Sequence, residues 1–201
     1  MSKNESRRRV KMYSALEVAN MCGVVNQTAI NWIRNGYLKA FNTPGGQYRV
    51  YHEDLLSFIK DRGMKIPEDL EDSAGQAHWN SIIIVDDDRV LNEAIATFLT
   101  KNIPELRIYQ SYDGFDAGSQ IAKYRPGFII LDIDLPGIGG KEICTKIKSD
   151  DSFGEPYIIV VTGLEDSTLK TQMLELGADS FFKKPLDFNA ILNEINTVIT
   201  Q

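Results

Sequence analysis

Cysteine, histidine and tryptophan are nearly missing from this chain of 201 residues, which has two of each. Cys22 and Cys144 are too few and too far apart for a disulfide framework, and neither has metal-ligand spacing. Both read as buried free thiols in a reducing compartment. His52 and His78 are too isolated for a metal site and read as surface or interface residues. Long apolar runs are missing as well. No stretch approaches the ~18 residues of a membrane span, and the Arg-rich N-terminus lacks a leader's apolar segment. These absences exclude a disulfide-stapled scaffold, a Cys/His metal centre and a helical membrane protein; a cytoplasmic location without membrane partners is expected. There is neither an internal repeat nor a low-complexity tract.

What is present is unevenly charged. Met1 to Pro67 hold eleven Lys/Arg against five Asp/Glu, and the rest holds eleven against twenty-three. A split of this size implies a basic module suited to nucleic acid and an acidic one suited to cations. Residues 1–9, with Arg7-Arg8-Arg9, read as a polar arm, either a solvated tail or a phosphate-tracking or minor-groove element. Ile66 to Trp79, with Pro67, Glu68, Asp69, Glu71, Asp72 and Ser73-Ala74-Gly75-Gln76, read as a charged linker that lets the modules move. The expected division is a DNA-binding domain over 10–65, a linker over 66–79 and an acidic domain over 80–201.

From Asn80 on, short apolar runs alternate with helical patterns over Asp88 to Thr100, Asp113 to Tyr124, Gly140 to Lys148, Asp166 to Leu176 and Asp187 to Ile199. Five strands alternating with five helices predict an α/β, doubly wound, five-stranded parallel sheet. Polar residues fall where these strands end: Asp86-Asp87 after Ile82–Val85, Asp132 after Phe128–Leu131, Thr162-Gly163 after Tyr157–Val161, and Lys184-Pro185 after Ser180–Phe182. Ligands of such sheets bind at this carboxyl edge. Carboxylates, a hydroxyl and an ammonium converging there describe a magnesium-dependent phosphoryl site.

In the basic half, Tyr13 to Ala19 have helical spacing, with Ala15, Val18 and Ala19 inward. Gly23 supplies a turn, Asn26 is a candidate cap for a second helix to Arg34, and Asn35-Gly36 stops it. Two short helices about a turn predict a mainly α helix-turn-helix whose second helix enters the major groove of double-stranded DNA. Ala29, Trp32 and Ile33 can pack inward, leaving Gln27, Thr28, Asn31 and also Ile30 and Arg34 outward. Thr43-Pro44-Gly45-Gly46-Gln47-Tyr48-Arg49 reads as a hairpin turn, with Gln47 and Arg49 near the phosphates, and His52 to Ile59 as a closing helix.

With Ser14–Ala19, Gly23-Val24, Thr28, Trp32, Asn35–Leu38 and Thr43–Arg49 in order, this half resembles the winged helix-turn-helix of the MerR superfamily, above all its BldC-like and excisionase-like members. Val25 stands where that family often has a capping Ser, and Asn31 and Asn42 where it commonly has arginines. The acidic half resembles a response-regulator receiver domain, on Ile83–Asp88, Leu131-Asp132 with Pro136 and Gly140, Val161–Gly163, Gly177–Asp179 and Lys183–Pro185.

That resemblance implies Asp132 as phosphoacceptor, with Mg²⁺ held by Asp86, Asp87, Asp132 and the backbone carbonyl of Asp134. It also implies Lys184 and Thr162 on the phosphate, a cis Lys184-Pro185 bond, and Phe181 as an aromatic switch. Asp134 is an uncommon residue two places past the acceptor. The implied protein is no enzyme. It would be a DNA-binding transcriptional regulator that accepts phosphate from a histidine kinase or phosphotransfer protein and forms a homodimer on phosphorylation. Two alternatives stay open: an architectural DNA-binding factor indifferent to phosphate, and a signalling adaptor that has lost DNA binding.

Overall fold

Ser14 sets the first boundary. In the computed structural model, which describes residues 11–43, 45–67, 70, 77–166 and 168–200, Met12–Ser14 form a strand (β1) and the first helix begins one residue later. This helix, Ala15–Met21 (α1), starts in a capping box: the Ser14 hydroxyl accepts the Glu17 backbone N–H while Glu17 Oε2 accepts the Ser14 N–H at 2.7 Å. Two otherwise orphaned donors are thereby satisfied. Tyr13, expected in the helix, lies instead in the strand, because extended backbone at Ser14 is what that cap requires.

The second helix is Asn26–Arg34 (α2). Its N-cap is Val25, without a side-chain hydrogen bond, and Asn26 is its first helical residue rather than the expected cap. Phe41–Asn42 (β2) and Tyr48–Tyr51 (β3) form a hairpin, and β1 pairs on the other side of β3, giving an antiparallel sheet ordered β1-β3-β2. His52–Asp61 (α3) closes the unit. Val18, Ala19, Ala29, Val50, Leu55 and Ile59 are fully buried between these elements, and the Trp32 ring packs 5.0 Å from Phe58. His52, expected at a surface or an interface, is buried inside this unit: its Nδ1 lies 3.0 Å from the Tyr13 hydroxyl, a polar partner that offsets the cost of burial.

Contacts divide the chain into two compact units, Met1–Asp72 with Thr197–Gln201, and Ser73–Asn196. The segment read as linker holds more structure than its composition suggested. Leu70 is buried in the core of the first unit. The first strand of the second unit begins at His78, inside that segment, since Trp79 is buried edge-on against Phe128 at 5.4 Å. The arm with Arg7-Arg8-Arg9, Pro44 of the hairpin turn, and residues 68–69 and 71–76 lie outside the described residues.

The second unit holds strands His78–Val85 (β4), Arg107–Ser111 (β5), Pro126–Asp132 (β6), Tyr157–Thr162 (β7) and Ser180–Lys183 (β8), all parallel, in the order β5-β4-β6-β7-β8. Helices Arg89–Asn102 (α4), Gly114–Tyr124 (α5), Gly140–Ser149 (α6), Leu169–Glu175 (α7) and Phe188–Thr200 (α8) follow them in turn. Alternate residues of a strand face opposite sides, and Ile82 to Val85, Phe128 to Leu131 and Ile158 to Val161 are all fully buried. Both faces of the sheet are therefore covered, which is why these strands read as continuous apolar runs.

Candidate functional site

The carboxyl ends of β4, β6, β7 and β8 meet at one edge, and each delivers a polar residue there. Asp86 directly follows β4. It is fully buried, its N–H donates to the Ser111 carbonyl at 3.2 Å, and its Oδ1 accepts the Asp88 N–H at 3.0 Å. Asp88 itself turns away to cap α4, accepting the N–H groups of Val90 and Leu91. Asp87, between them, is exposed. Asp132 ends β6 and is 4% exposed; its Oδ1 accepts the Ile133 N–H at 2.7 Å. One oxygen each from Asp86, Asp87 and Asp132 can be chosen so that all three lie within 4.8 Å of one another.

Close backbone packing holds Asp132 in place. A Cβ on Gly140 would collide with the Asp132 carbonyl oxygen, so only glycine lets α6 start this near β6.

Lys184 bridges the acids. Its Nζ lies 2.8 Å from Asp132 Oδ2 and 2.8 Å from Asp86 Oδ2, and its N–H donates to the Thr162 carbonyl at 2.8 Å. The Asp132 contact is also a hydrogen bond, whereas Asp86 Oδ2 receives no aligned hydrogen bond despite its burial. The Lys184-Pro185 bond is cis. Burial pushes the Asp86 carboxyl above its ordinary pKa; the Lys184 ammonium offsets part of that rise and the Asp132 charge adds to it. Burial works against the Lys184 charge, but its contacts with the Asp132 and Asp86 carboxylates outweigh that and hold it above the ordinary lysine value.

Thr162 ends β7, fully buried, and its Oγ1 accepts the Leu164 N–H at 3.1 Å. Phe181 stands opposite Val160 in register, on the same face of the sheet as Thr162, half-buried against the core. Asp134 is exposed beyond Asp132.

In the first unit, Gln27, Asn31 and Arg34 are exposed along one face of α2, with Gln27 Nε2 donating to Asn31 Oδ1 at 3.0 Å. Thr28 and Ile30 are half-buried. Gln47 and Arg49 meet at the hairpin, where the guanidinium donates to Gln47 Oε1 at 3.1 Å. Asn92 escaped the sequence reading. It is fully buried beneath the acidic edge, and its signal was a polar residue at an inward position of the stripe Asn92, Ile95, Leu99.

A doubly wound five-stranded sheet with an acidic cluster and a lysine at its carboxyl edge has the architecture of a receiver-class module. Residues 82–196 match the model of the response regulator receiver domain, more than half of the chain, and the chain belongs to that family. Residues 12–63 match the model of a helix-turn-helix domain. Response regulator ArlR of Staphylococcus aureus is 33% identical over 118 residues, covering 59% of this chain and 52% of that protein. The chain thus spans about half the length of the curated relatives it matches.

Among solved structures, the signal receiver domain of a DNA-binding response regulator (merR) from Colwellia psychrerythraea 34H matches with a TM-score of 0.58 at 30% identity, covering 60% of this chain and 98% of that one. A receiver domain from Bermanella marisrubri matches at 0.54 and 29% identity, covering 62% and 99%. Among the described residues, no helix is long and apolar enough to cross a membrane.

Proposed function

We propose that this protein is a phosphorylation-controlled, DNA-binding response regulator that accepts a phosphoryl group on Asp132 from a histidine kinase or phosphotransfer protein. The observation that carries this reading is the convergence of Asp132 with Asp86, Asp87 and Lys184 at the carboxyl edge of the sheet.

The donor set fits a hard divalent cation. Three carboxylates offer oxygens within 4.8 Å, and Asp86 Oδ2 is buried without an aligned hydrogen-bond donor. Mg²⁺ would be held by Asp86, Asp87, Asp132 and the backbone carbonyl of Asp134, and when bound it supplies positive charge that offsets repulsion between donor phosphate and carboxylates. An Asp132 carboxylate oxygen forms the new P–O bond as the donor's P–N bond breaks, and the leaving imidazole takes up a proton. The Lys184 ammonium turns from the Asp132 carboxylate to the phosphoryl oxygens. The Thr162 hydroxyl donates its proton to one of them and, through its bond from Leu164 N–H, draws the start of the loop before α7 along.

Phe181 follows inward, which alters the face formed by α7 and β8 and favours a homodimer through it. The first unit, of the MerR-superfamily type, reads DNA with Gln27, Thr28, Asn31 and Arg34 of α2 and holds phosphates with Gln47 and Arg49. Pairing two such units raises DNA affinity.

Phosphoryl incorporation tests the acceptor directly. Incubation with acetyl phosphate and Mg²⁺ is expected to add one phosphoryl group by intact-mass spectrometry, and Asp132→Asn is expected to add none. Equal incorporation in the variant would overturn the assignment.

A further inference from the structure

Beneath the acidic edge, one buried amide joins the ends of two strands. Asn92, on α4, is fully buried, and its Nδ2 donates to the carbonyls of Ser111 at 3.0 Å, Asp86 at 3.1 Å and, more weakly, Ile84 at 3.4 Å. Its Oδ1 accepts Gln110 Nε2 at 2.9 Å. With carbonyls on one side and an amide donor on the other, only one orientation of the group satisfies its neighbours. The Ser111 carbonyl also accepts the Asp86 N–H. Asp86 is thus held from both sides of its own peptide units: its N–H by β5, its carbonyl by Asn92, and Asn92 in turn by β5. The connection continues outward, since Gln120 Nε2 donates to the Gln110 carbonyl at 3.0 Å and to Asp116 Oδ2 at 2.7 Å.

We infer that Asn92 is a positioning residue for the acidic pair: it clamps the Asp86 carbonyl so that the Asp86 and Asp87 carboxylates are held in place to bind a divalent cation. The inference rests on the reading of this edge as a Mg²⁺ site. A helix interior gains little from an asparagine, and a core position disfavours one unless every bond is made. Leu or Met would fill the space; the amide is retained where it can fix the backbone from which two carboxylates project. Partners that orient ligands without touching the ion commonly change metal affinity by ~10–100-fold.

The test uses the full chain, titrated with Mg²⁺ and followed by the backbone amide shifts of residues 85–88 and 131–134. Asn92→Leu is expected to raise the titration midpoint by about tenfold. Tyr157→Phe, which removes a bond of 2.5 Å to Glu194 at the other end of β7, is expected to leave it unchanged. An unchanged midpoint in Asn92→Leu overturns the inference, and so does an equal rise in Tyr157→Phe, which would mark a general loss of structure. Should Asn92→Leu fail to fold, Gln110→Met, which removes only the bond to Asn92 Oδ1, is expected to give a smaller rise; no rise overturns the inference. If the wild-type protein shows no Mg²⁺-dependent shifts at these residues, the reading of the site falls and takes the inference with it. Wild-type titration with an unaltered Asn92→Leu midpoint sinks the inference alone.

Discussion

Lys184 and Asp132, 52 positions apart in the chain, meet at 2.8 Å across the edge of the sheet, and the same ammonium reaches Asp86. Without it, two buried carboxylates would face each other uncompensated. Lys184→Met is therefore expected to destabilise the cation-free protein by on the order of 1–3 kcal/mol, below the full value for a buried pair because the lysine is 21% exposed. Urea unfolding without divalent cations measures this. A variant as stable as the wild type would show that the carboxylates do not need the ammonium.

Two glycines separate close packing from backbone freedom. Gly140→Ala drives a methyl into the Asp132 carbonyl and is expected to cost about 1–3 kcal/mol, with reduced phosphoryl incorporation. Gly118→Ala, on α5 with open space around it, is expected to be stabilising by about 0.5–1 kcal/mol. Thermal unfolding of both variants checks the contrast; equal behaviour would remove the packing explanation.

The buried Asp86 carboxyl gives stability a definite pH dependence. Its pKa is raised in the folded protein, chiefly by burial, so the native state keeps this proton to higher pH than the unfolded chain. Stability from this group consequently falls as pH rises from the ordinary carboxylate value through the raised one, then stays level. The difference in unfolding free energy between wild type and Asp86→Asn is expected to move against the wild type over that window, in denaturant titrations without divalent cations. Movement in the wild type's favour would contradict the assignment.

The second unit was legible because its signals are local and repeated: four short runs, each followed by a polar residue, together with the helical patterns between them, state both the sheet and the edge where chemistry gathers. What stayed hidden depended on contacts between distant segments. His52 reads as a surface or interface residue until Tyr13 is found beside it. Trp79 sits in a charged stretch, and only the approach of Phe128 across β6 makes it strand. Asn26 resembles a cap by residue type, but the helix starts there instead, with Val25 as an N-cap that makes no side-chain bond. Asn92 is an ordinary polar residue in sequence, and its three carbonyl partners appear only once β4 and β5 lie side by side.

Arg34 and Arg49 carry the charge proposed to meet DNA. Replacing both by Ala is expected to weaken binding across sequences and to reduce the slope of log affinity against log salt by about one per lost phosphate contact. Anisotropy titrations at several salt concentrations measure the slope. An unchanged slope would move the DNA interface elsewhere or favour the adaptor reading.

The coupling of the two units is tested most directly by the affinity of the full chain for a selected DNA site, by fluorescence anisotropy with Mg²⁺, with and without beryllofluoride as a stand-in for the phosphoryl group. The account predicts a large gain in affinity with beryllofluoride that disappears in Asp132→Asn. Tight binding that is the same in all three conditions would contradict it and leave an architectural DNA-binding protein in its place.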